Sequence, residues 1–478
     1  MVIIVSLTSE QQSNLQLLKA GQLTSAYRTS QNLEPITRLT IAEELTEFPR
    51  EILDLADCLE ILDLSNNRLS ELPDDFDRLV NMRILFLTNN NFKSIPAILA
   101  SCPKLEMISF KSNALTHIDD HVLPVDTRWL ILTDNQLETL PDSMGQLHRL
   151  QKLALAGNAL TQLPSTMAQC KKLELARLSA NQLNAMPDWL FQLPKLAWLA
   201  FSGNEFNRVE EGSEITSTVP EVALANIQLG DVIGEGASGL IYQGDWIQQP
   251  ESLLGTDKTV AVKIFKGSVT SDGYPQDELD CCLTVGEFEN LIKVVAQLDQ
   301  SHQEREDAEK RLGLVMELIP KSFTNLGLPP SFLTCTRDTF EESTKFDIHT
   351  ITKVAVQMAN TLAYLYQKGI SHGDVYAHNT MINDQGDILF GDFGAATNLK
   401  TLPKHQRDAM EGIEVRAFGN LLDDLLAHSI VMAGEFLHST GNSEGSSCEI
   451  LKALRDRCLL EDVNQRPSFI EIQGILCF

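Results

Sequence analysis

Basic residues are scarce in this chain: 38 Lys and Arg stand against 65 Asp and Glu, a formal charge of −27 at pH 7. A surface this acidic repels phosphate backbones and anionic headgroups, which argues against broad electrostatic binding to nucleic acid or to a membrane. Also missing is any apolar run near the roughly 18 residues that a membrane span requires. The start, Met1 to Leu7, is apolar but too short for a secretory segment and lacks a basic flank. Nine cysteines (Cys58, Cys102, Cys170, Cys281, Cys282, Cys335, Cys448, Cys458, Cys477) are odd in number, scattered, and form no CxxC pair. They speak against a disulfide framework or a zinc site and for free thiols in a reducing compartment, so a cytoplasmic location is expected. What remains is globular in character: 43% hydrophobic and 22% charged over 478 residues, room for two or three domains.

The stretch with the most chemistry is Ser371–Gly394, SHGDVYAHNTMINDQGDILFGDFG. Asn379 lies five residues after Asp374, and Asp392 lies eighteen after it. Two short runs, Thr380–Ile382 and Ile388–Phe390, flank an Asn-Asp-Gln-Gly turn and predict a tight hairpin that brings Asn379 and Asp392 together. Such an oxygen pair suits a divalent metal carrying polyphosphate, and Asp374 beside it is placed to take a hydroxyl proton.

Earlier in the chain, apolar residues at helical spacing predict a short helix over residues 9–22. From Leu59 the pattern LxxLxLxxNxLxxLP recurs, with starts at Met82, Leu105, Thr127, Leu150, Leu173 and Leu196, in steps of 23 residues with one of 22. Its asparagines are Asn67, Asn90, Asn113, Asn135, Asn158, Asn181 and Asn204; an earlier turn at Ile36, Leu39 and Ile41 is degenerate. The pattern resembles a leucine-rich-repeat solenoid over about residues 36–210, with residues 1–35 as an N-terminal helical cap. Each LxL is expected to be a strand with its leucines in a shared core, and each Asn to bond backbone groups in the following bend. Outward strand positions carry Ile61, Ile84, Phe86, Met107, Trp129, Ile131 and Trp198, with Lys152 and Leu175 between. This apolar strip predicts a concave docking surface for a protein partner or for a segment of this chain. Apolar and aromatic residues also simply suit strands, so the bland reading stays open.

An acidic, Ser/Thr-rich stretch at about residues 211–224 predicts a linker. After it, Gly234, Gly236 and Gly239 form GxGxxG with Ile241 following, and TVAVK ends on Lys263. Strand-turn-strand suits these residues better than the strand-turn-helix of a dinucleotide fold. With the glycine loop, VAVK, the Asp374–Asn379 pair and DFG in order, residues 225–478 resemble the protein kinase superfamily.

The resemblance implies an α+β domain in two lobes, the first reaching about residue 317 and the second spanning residues 318–478, after an α/β solenoid. It further implies that Gly234, Glu235, Gly236, Gly239, Ile241 and Ala261 enclose ATP and that Lys263 binds its phosphates. Asp374 would be the catalytic base, and Asn379 and Asp392 would hold Mg2+. Met316, Glu317 and Leu318 fall at the gatekeeper and hinge. Glu278, fifteen residues after Lys263, is its expected partner, with Glu287 and Glu289 as competitors. Ile351, Val354, Met358, Leu362 and Leu365 predict one buried helix face ending at Gly369. The whole chain resembles the cytosolic leucine-rich-repeat protein kinases of bacteria.

Departures from the family pattern matter. HGD replaces HRD, so Gly373 stands where an arginine senses a phosphorylated activation segment. Tyr376 replaces the usual lysine two residues past the base, and His378 is a candidate replacement for its charge. The segment between Asp392 and Glu414 is short and has no APE, which leaves Arg466 without its usual Glu; Glu411 is the candidate substitute. The leading expectation is a serine/threonine protein kinase aimed by its repeats. A scaffold with an inactive, nucleotide-binding kinase fold and an HGD-type small-molecule phosphotransferase remain alternatives.

Overall fold

The computed structural model describes residues 13–207, 219–236, 238–255, 257–267, 269–299, 312–430 and 442–477. By packing, the chain divides into two units: residues 1–153 with 158–170, and residues 154–157 with 171–478.

In the first unit, the predicted opening helix is observed over Asn14–Lys19, with Ser13 accepting from Gln16 N at its start; residues 9–12 lie outside the described part. A second helix, Ser25–Ser30, follows. Strands Arg38–Thr40, Ile61–Asp63, Ile84–Phe86, Met107–Ser109 and Trp129–Ile131 then pair in parallel, each with the next. Leu39, Leu62, Leu85, Ile108 and Leu130 stand side by side in this register and are buried. The degenerate first turn is therefore in step with the others at its strand.

From Ile61–Asp63 on, each strand is left through one left-handed residue, for example Asn66 at φ 58° and Asn89 at φ 54°, just before the recurring asparagine of the repeat. That asparagine closes the bend. Asn67 Oδ1 accepts from Glu43 N (3.0 Å) and Leu45 N (2.9 Å), while its Nδ2 donates to Ile41 O and Leu64 O (2.8 Å each). Buried backbone groups that the turn leaves unpaired are thus satisfied by one amide per repeat.

The second unit begins with the last two repeat strands, Leu175–Arg177 and Trp198–Ala200, again parallel. The part of the expected linker at residues 211–218 lies outside the described residues. Beyond it, strands Ile227–Glu235, Gly239–Trp246, Thr259–Phe265, Gly313–Glu317 and Val294–Leu298 form an antiparallel sheet in that spatial order, edged by Glu221–Val222. One face of this sheet is a small apolar core around Val260, Val262, Ile264, Ala296 and Val315. Helix Pro275–Val285 completes this lobe.

The second lobe is helical. Its central helix, Ile348–Lys368, starts at Asp347, which accepts from Thr350 N (2.6 Å), and stops at Gly369 in the left-handed conformation. Ile351, Val354, Met358, Leu362 and Leu365 are all buried, as their spacing predicts. Helices Lys404–Ala427, Asn442–Cys458 and Phe469–Leu476 pack around it. Leu175, Ala197 and Trp198 of the last two repeats belong to this lobe's apolar core. The architecture is multidomain: leucine-rich repeats, then a two-lobed kinase-like domain.

Candidate active site between the two lobes

The hairpin forms as the turn sequence predicts. Thr380–Ile382 and Ile388–Phe390 pair antiparallel, and Asn383 Oδ1 accepts from Gln385 N and Asp387 N (3.0 and 2.9 Å) inside the turn. Asn379 leads into one strand and Asp392 follows the other, so both reach one cleft. Asn379 Nδ2 donates to Asp374 O (3.1 Å) and Asp374 Oδ2 (2.8 Å). Asn379 is also among the residues that line the cleft. Asp392 sits at φ 62°, left-handed backbone that a non-glycine residue adopts at a cost of about 1–3 kcal/mol.

Lys263 comes from the middle of the sheet, between Ile241 and Leu314 in register. Its ammonium pairs with Glu278 of helix Pro275–Val285 and lies 3.7 Å from Asp392 Oδ1. Among the three glutamates weighed for this partnership, the geometry brings in Glu278; Glu287 instead meets Lys293 at 2.9 Å. Burial works against the Lys263 charge, but Glu278 and Asp392 more than offset it and raise its pKa. Desolvation by the cleft walls works against the Asp392 carboxylate, but the Lys263 ammonium more than offsets it and holds its pKa below the usual value.

The cleft is a cavity of about 520 Å³. Gly234, Glu235, Gly236, Gly239, Ile241, Ala261, Lys263, Met316, Glu317 and Leu318 line it, together with Glu278, His378, Asn379 and Asp392. Gly239 is required by contact: a Cβ there would lie 2.6 Å from Ile264 O. Asp374 is adjacent but does not line the cavity.

For a metal, the donor set is an Asn amide oxygen and one half-exposed carboxylate. No group of three or more His, Cys, Asp or Glu side chains forms a cage among the described residues. Two protein oxygens with the rest from phosphate and water is what magnesium prefers, so the residues fit that ion better than a dedicated all-protein site.

The segment Ser371–Asn379 is held from several sides. His372 is fully buried, stacks on Phe390 (4.1 Å between ring centres) and bonds Gly391 O (3.1 Å); burial pushes its pKa down to about 4, so it is neutral and Nε2 donates. Glu414 accepts from Gly373 N at 2.7 Å, and burial pushes its carboxyl up to about 7. Gly373 has φ 72°, and a Cβ would lie 2.5 Å from Ala395 O and 3.1 Å from Leu199 O. No side chain fits there, which explains glycine where the resemblance leads one to expect arginine.

Several residues at this site carry no motif signal. Asp338 accepts from Ala377 N (2.5 Å) and binds His378 Nδ1 (2.6 Å). Burial lowers the His378 pKa, but Asp338 more than offsets this and the net shift is upward. Arg177, from the sixth repeat, donates to Asp374 and to Gly373 O (3.2 Å), and its Nε donates to Asp272 (2.9 Å). Asp374 itself is raised by burial against the opposing pull of Arg177. Tyr376 lies flat against Trp198, 4.6 Å between ring centres and 5° between planes, and Trp198 Nε1 donates to Val375 O (3.1 Å). Arg177 was legible in principle: in the second outward column of the repeats, Asp63, Phe86, Ser109, Ile131, Ala154, Arg177 and Ala200, it is the one cation. Asp272 and Asp338 sit in irregular segments whose contacts no periodicity reveals.

Of the other outward repeat residues, Ile84 and Met107 are buried, while Ile61, Phe86, Trp129 and Ile131 are half-buried, with the Lys152 ammonium 4.4 Å from the Trp129 ring centre. Arg466 does not pair with Glu411. It donates to Leu460 O, Gly412 O and Pro194 O (2.8–2.9 Å), while Glu411 accepts from Phe469 N (2.8 Å). After Asp392 the chain needs only to reach Lys404 before helix begins, so no long segment returns a carboxylate to Arg466, and carbonyls serve instead.

Residues 227–417 match the model of the protein tyrosine and serine/threonine kinase family, and residues 51–79 match the leucine-rich-repeat model. The chain is 33% identical over 115 residues to the mouse leucine-rich repeat and calponin homology domain-containing protein 1, and 32% identical over 115 residues to the human protein of that name. Each match covers 23% of this chain and 16% of the relative. It is 35% identical over 131 residues to the probable serine/threonine-protein kinase pats1 of Dictyostelium discoideum, 24% of this chain and 4% of that one. The chain thus spans less than a fifth of each of these relatives. With the fold and the cleft, the two family matches support a leucine-rich-repeat array fused to a protein-kinase-like domain.

Proposed function

We propose that this protein transfers the γ-phosphate of Mg-ATP to a protein hydroxyl, that of Ser or Thr, and that its repeats select the acceptor in the cytoplasm. The observation that carries the reading is the assembled set in one cleft: Lys263 paired with Glu278, close to Asp392, with Asn379 bonded to Asp374. In this reading the glycine loop and Lys263 bind the phosphates, and Ala261, Met316, Glu317 and Leu318 form the base pocket. A magnesium ion held by Asn379 and Asp392 would neutralise charge on the transferring phosphoryl group. Asp374 orients the acceptor hydroxyl and takes its proton. The name of the Dictyostelium relative, a probable serine/threonine-protein kinase, favours a Ser or Thr acceptor, and the resemblance to cytosolic bacterial kinases of this build favours the location.

The test is magnesium-dependent transfer of labelled γ-phosphate by the full chain to itself, to casein and to lysate proteins, beside Asp374→Ala and Asp392→Ala. Transfer by the parent and none by either variant is expected. Nucleotide binding with no transfer under any condition would sink the enzyme reading and favour a nucleotide-binding scaffold.

A further inference from the structure

The segment Ser371–Asn379 reads SHGDVYAHN and contains no Lys or Arg. Its largely buried Asp374 carboxylate nevertheless needs a counter-charge, because a desolvated charge left unpaired is strongly disfavoured. The cation comes from 197 residues earlier in the chain, on the sixth repeat. Arg177 is nearly sealed from solvent, and its guanidinium reaches three groups at once: Asp374, Gly373 O and Asp272.

The surroundings are shaped to bring it there. Gly273, at φ 140°, passes so close to the repeat that a Cβ would lie 2.8 Å from the Cβ of Ser179, which sets Asp272 beside Arg177. Gly373 leaves room for the Leu199 carbonyl. Phe201 N donates to Thr397 Oγ1 (3.3 Å), fixing the segment that follows Asp392, and Trp198 covers Tyr376. Backbone and side chains of two repeats are therefore built into the walls of the loop.

Arg177 holds only one carboxylate oxygen of Asp374; Asn379 holds the other. A carboxylate offers about four acceptor positions, so a hydroxyl can still bond it. The Asp374 side chain keeps 19% of its exposure while that of Arg177 keeps 6%, so the base faces an opening that the arginine does not fill. The Lys263–Glu278 pair is made at the same time and the nucleotide cavity is open. The arginine sits in an assembled site.

We propose that Arg177 is a positioning residue for phosphoryl transfer: the repeat array supplies in cis the cation that orients Asp374, so the last repeats are part of the kinase site. This rests on the function proposed above. The contrary arrangement, with the repeats holding the base shut, predicts the opposite sign for the same substitution.

The experiment compares full-length Arg177→Met and Arg177→Lys, which are similar in length and differ in charge, with Asp272→Asn as a milder variant that keeps the arginine. Turnover of Mg-ATP and transfer to casein are measured alongside hydrogen exchange of residues 371–379. We expect kcat to fall at least tenfold in Arg177→Met with KM for ATP within twofold, partial recovery in Arg177→Lys, and a smaller kcat loss in Asp272→Asn. Exchange in residues 371–379 should quicken in the order Asp272→Asn, Arg177→Lys, Arg177→Met. Unchanged or raised kcat in Arg177→Met, or equal loss in the Lys and Met variants, overturns the proposal. If Arg177→Met does not fold, Asp272→Asn with parental kcat overturns it instead. A parent chain that transfers nothing contradicts the kinase reading itself, and the exchange order then decides whether Arg177 orients the loop.

Discussion

Replacing Asp338 tests how the loop Ser371–Asn379 is held. Its two carboxylate oxygens serve different partners, the N–H of Ala377 and the Nδ1 of His378, and Ala377 is fully buried. Asp338→Ala strands the buried N–H, at about 1–3 kcal/mol, and removes a hydrogen bond between charged groups, at about 1.5–3 kcal/mol. The two share one side chain and are not independent, so a loss of about 3–5 kcal/mol is expected, near the upper range for single substitutions. Asp338→Asn keeps one good acceptor and should lose about half of that. The His378 contribution carries a pH signature. Its folded pKa is raised above 6.5 despite burial, because of Asp338. Stability from the pair is therefore fully present below pH 6.5 and is lost as pH rises through the folded pKa. Urea unfolding of parent, Asn and Ala variants at pH 6 and pH 8.5 measures both effects. Equal stability of parent and Asp338→Ala within about 0.5 kcal/mol, or a larger gap between them at pH 8.5 than at pH 6, would refute this reasoning.

Two further outcomes follow from the same structure. Trp198→Ala removes a fully buried indole, its stack on Tyr376 and its bond to Val375 O, so a loss of about 3–5 kcal/mol is expected; it should appear in the denaturant midpoint of the catalytic lobe, and a shift confined to a separate repeat transition would contradict the shared core. Glu414, raised to about 7 by burial, binds its proton more tightly folded than unfolded, so its contribution is fully present below pH 4.5 and lost as pH rises to 7, by about 3 kcal/mol. Glu414→Gln should flatten that part of the stability–pH curve, and an unchanged slope would count against the assignment.

Much of the frame was legible because it repeats or clusters locally. The leucine and asparagine phase reads directly as strand and bend, since each Asn bonds backbone one repeat away at a fixed offset. The hairpin between Asn379 and Asp392, and the buried face of Ile348–Lys368, follow from turn residues and helical spacing. Glu278 was reachable from its distance to Lys263. What escaped depends on contacts between distant segments. Arg177 meets Asp374 only because the sixth repeat packs on the helical lobe, and a lone arginine in an outward column does not announce its partner. Asp338 lies in an irregular stretch, and its importance comes from the two groups it happens to face. The expectation of Glu411 for Arg466 carried over a carboxylate–arginine habit into a segment too short to need it, and three carbonyls took the role. Trp198 belongs to an apolar strip in sequence, yet in the fold it is spent on Tyr376 of the same chain.

The most direct measurement of the central claim is single-turnover transfer of labelled γ-phosphate by the full chain with Mg2+, against Lys263→Met, Asp374→Asn and Asp392→Asn whose folding is verified by unfolding curves. Lys263 should matter for phosphate placement, Asp374 for the proton, and Asp392 for the metal, so each folded variant is expected to lose transfer by at least about 100-fold, the scale of removing one preorganised charged group from a transition state. Transfer that survives in Asp392→Asn and Asp374→Asn at the parental rate would contradict the account.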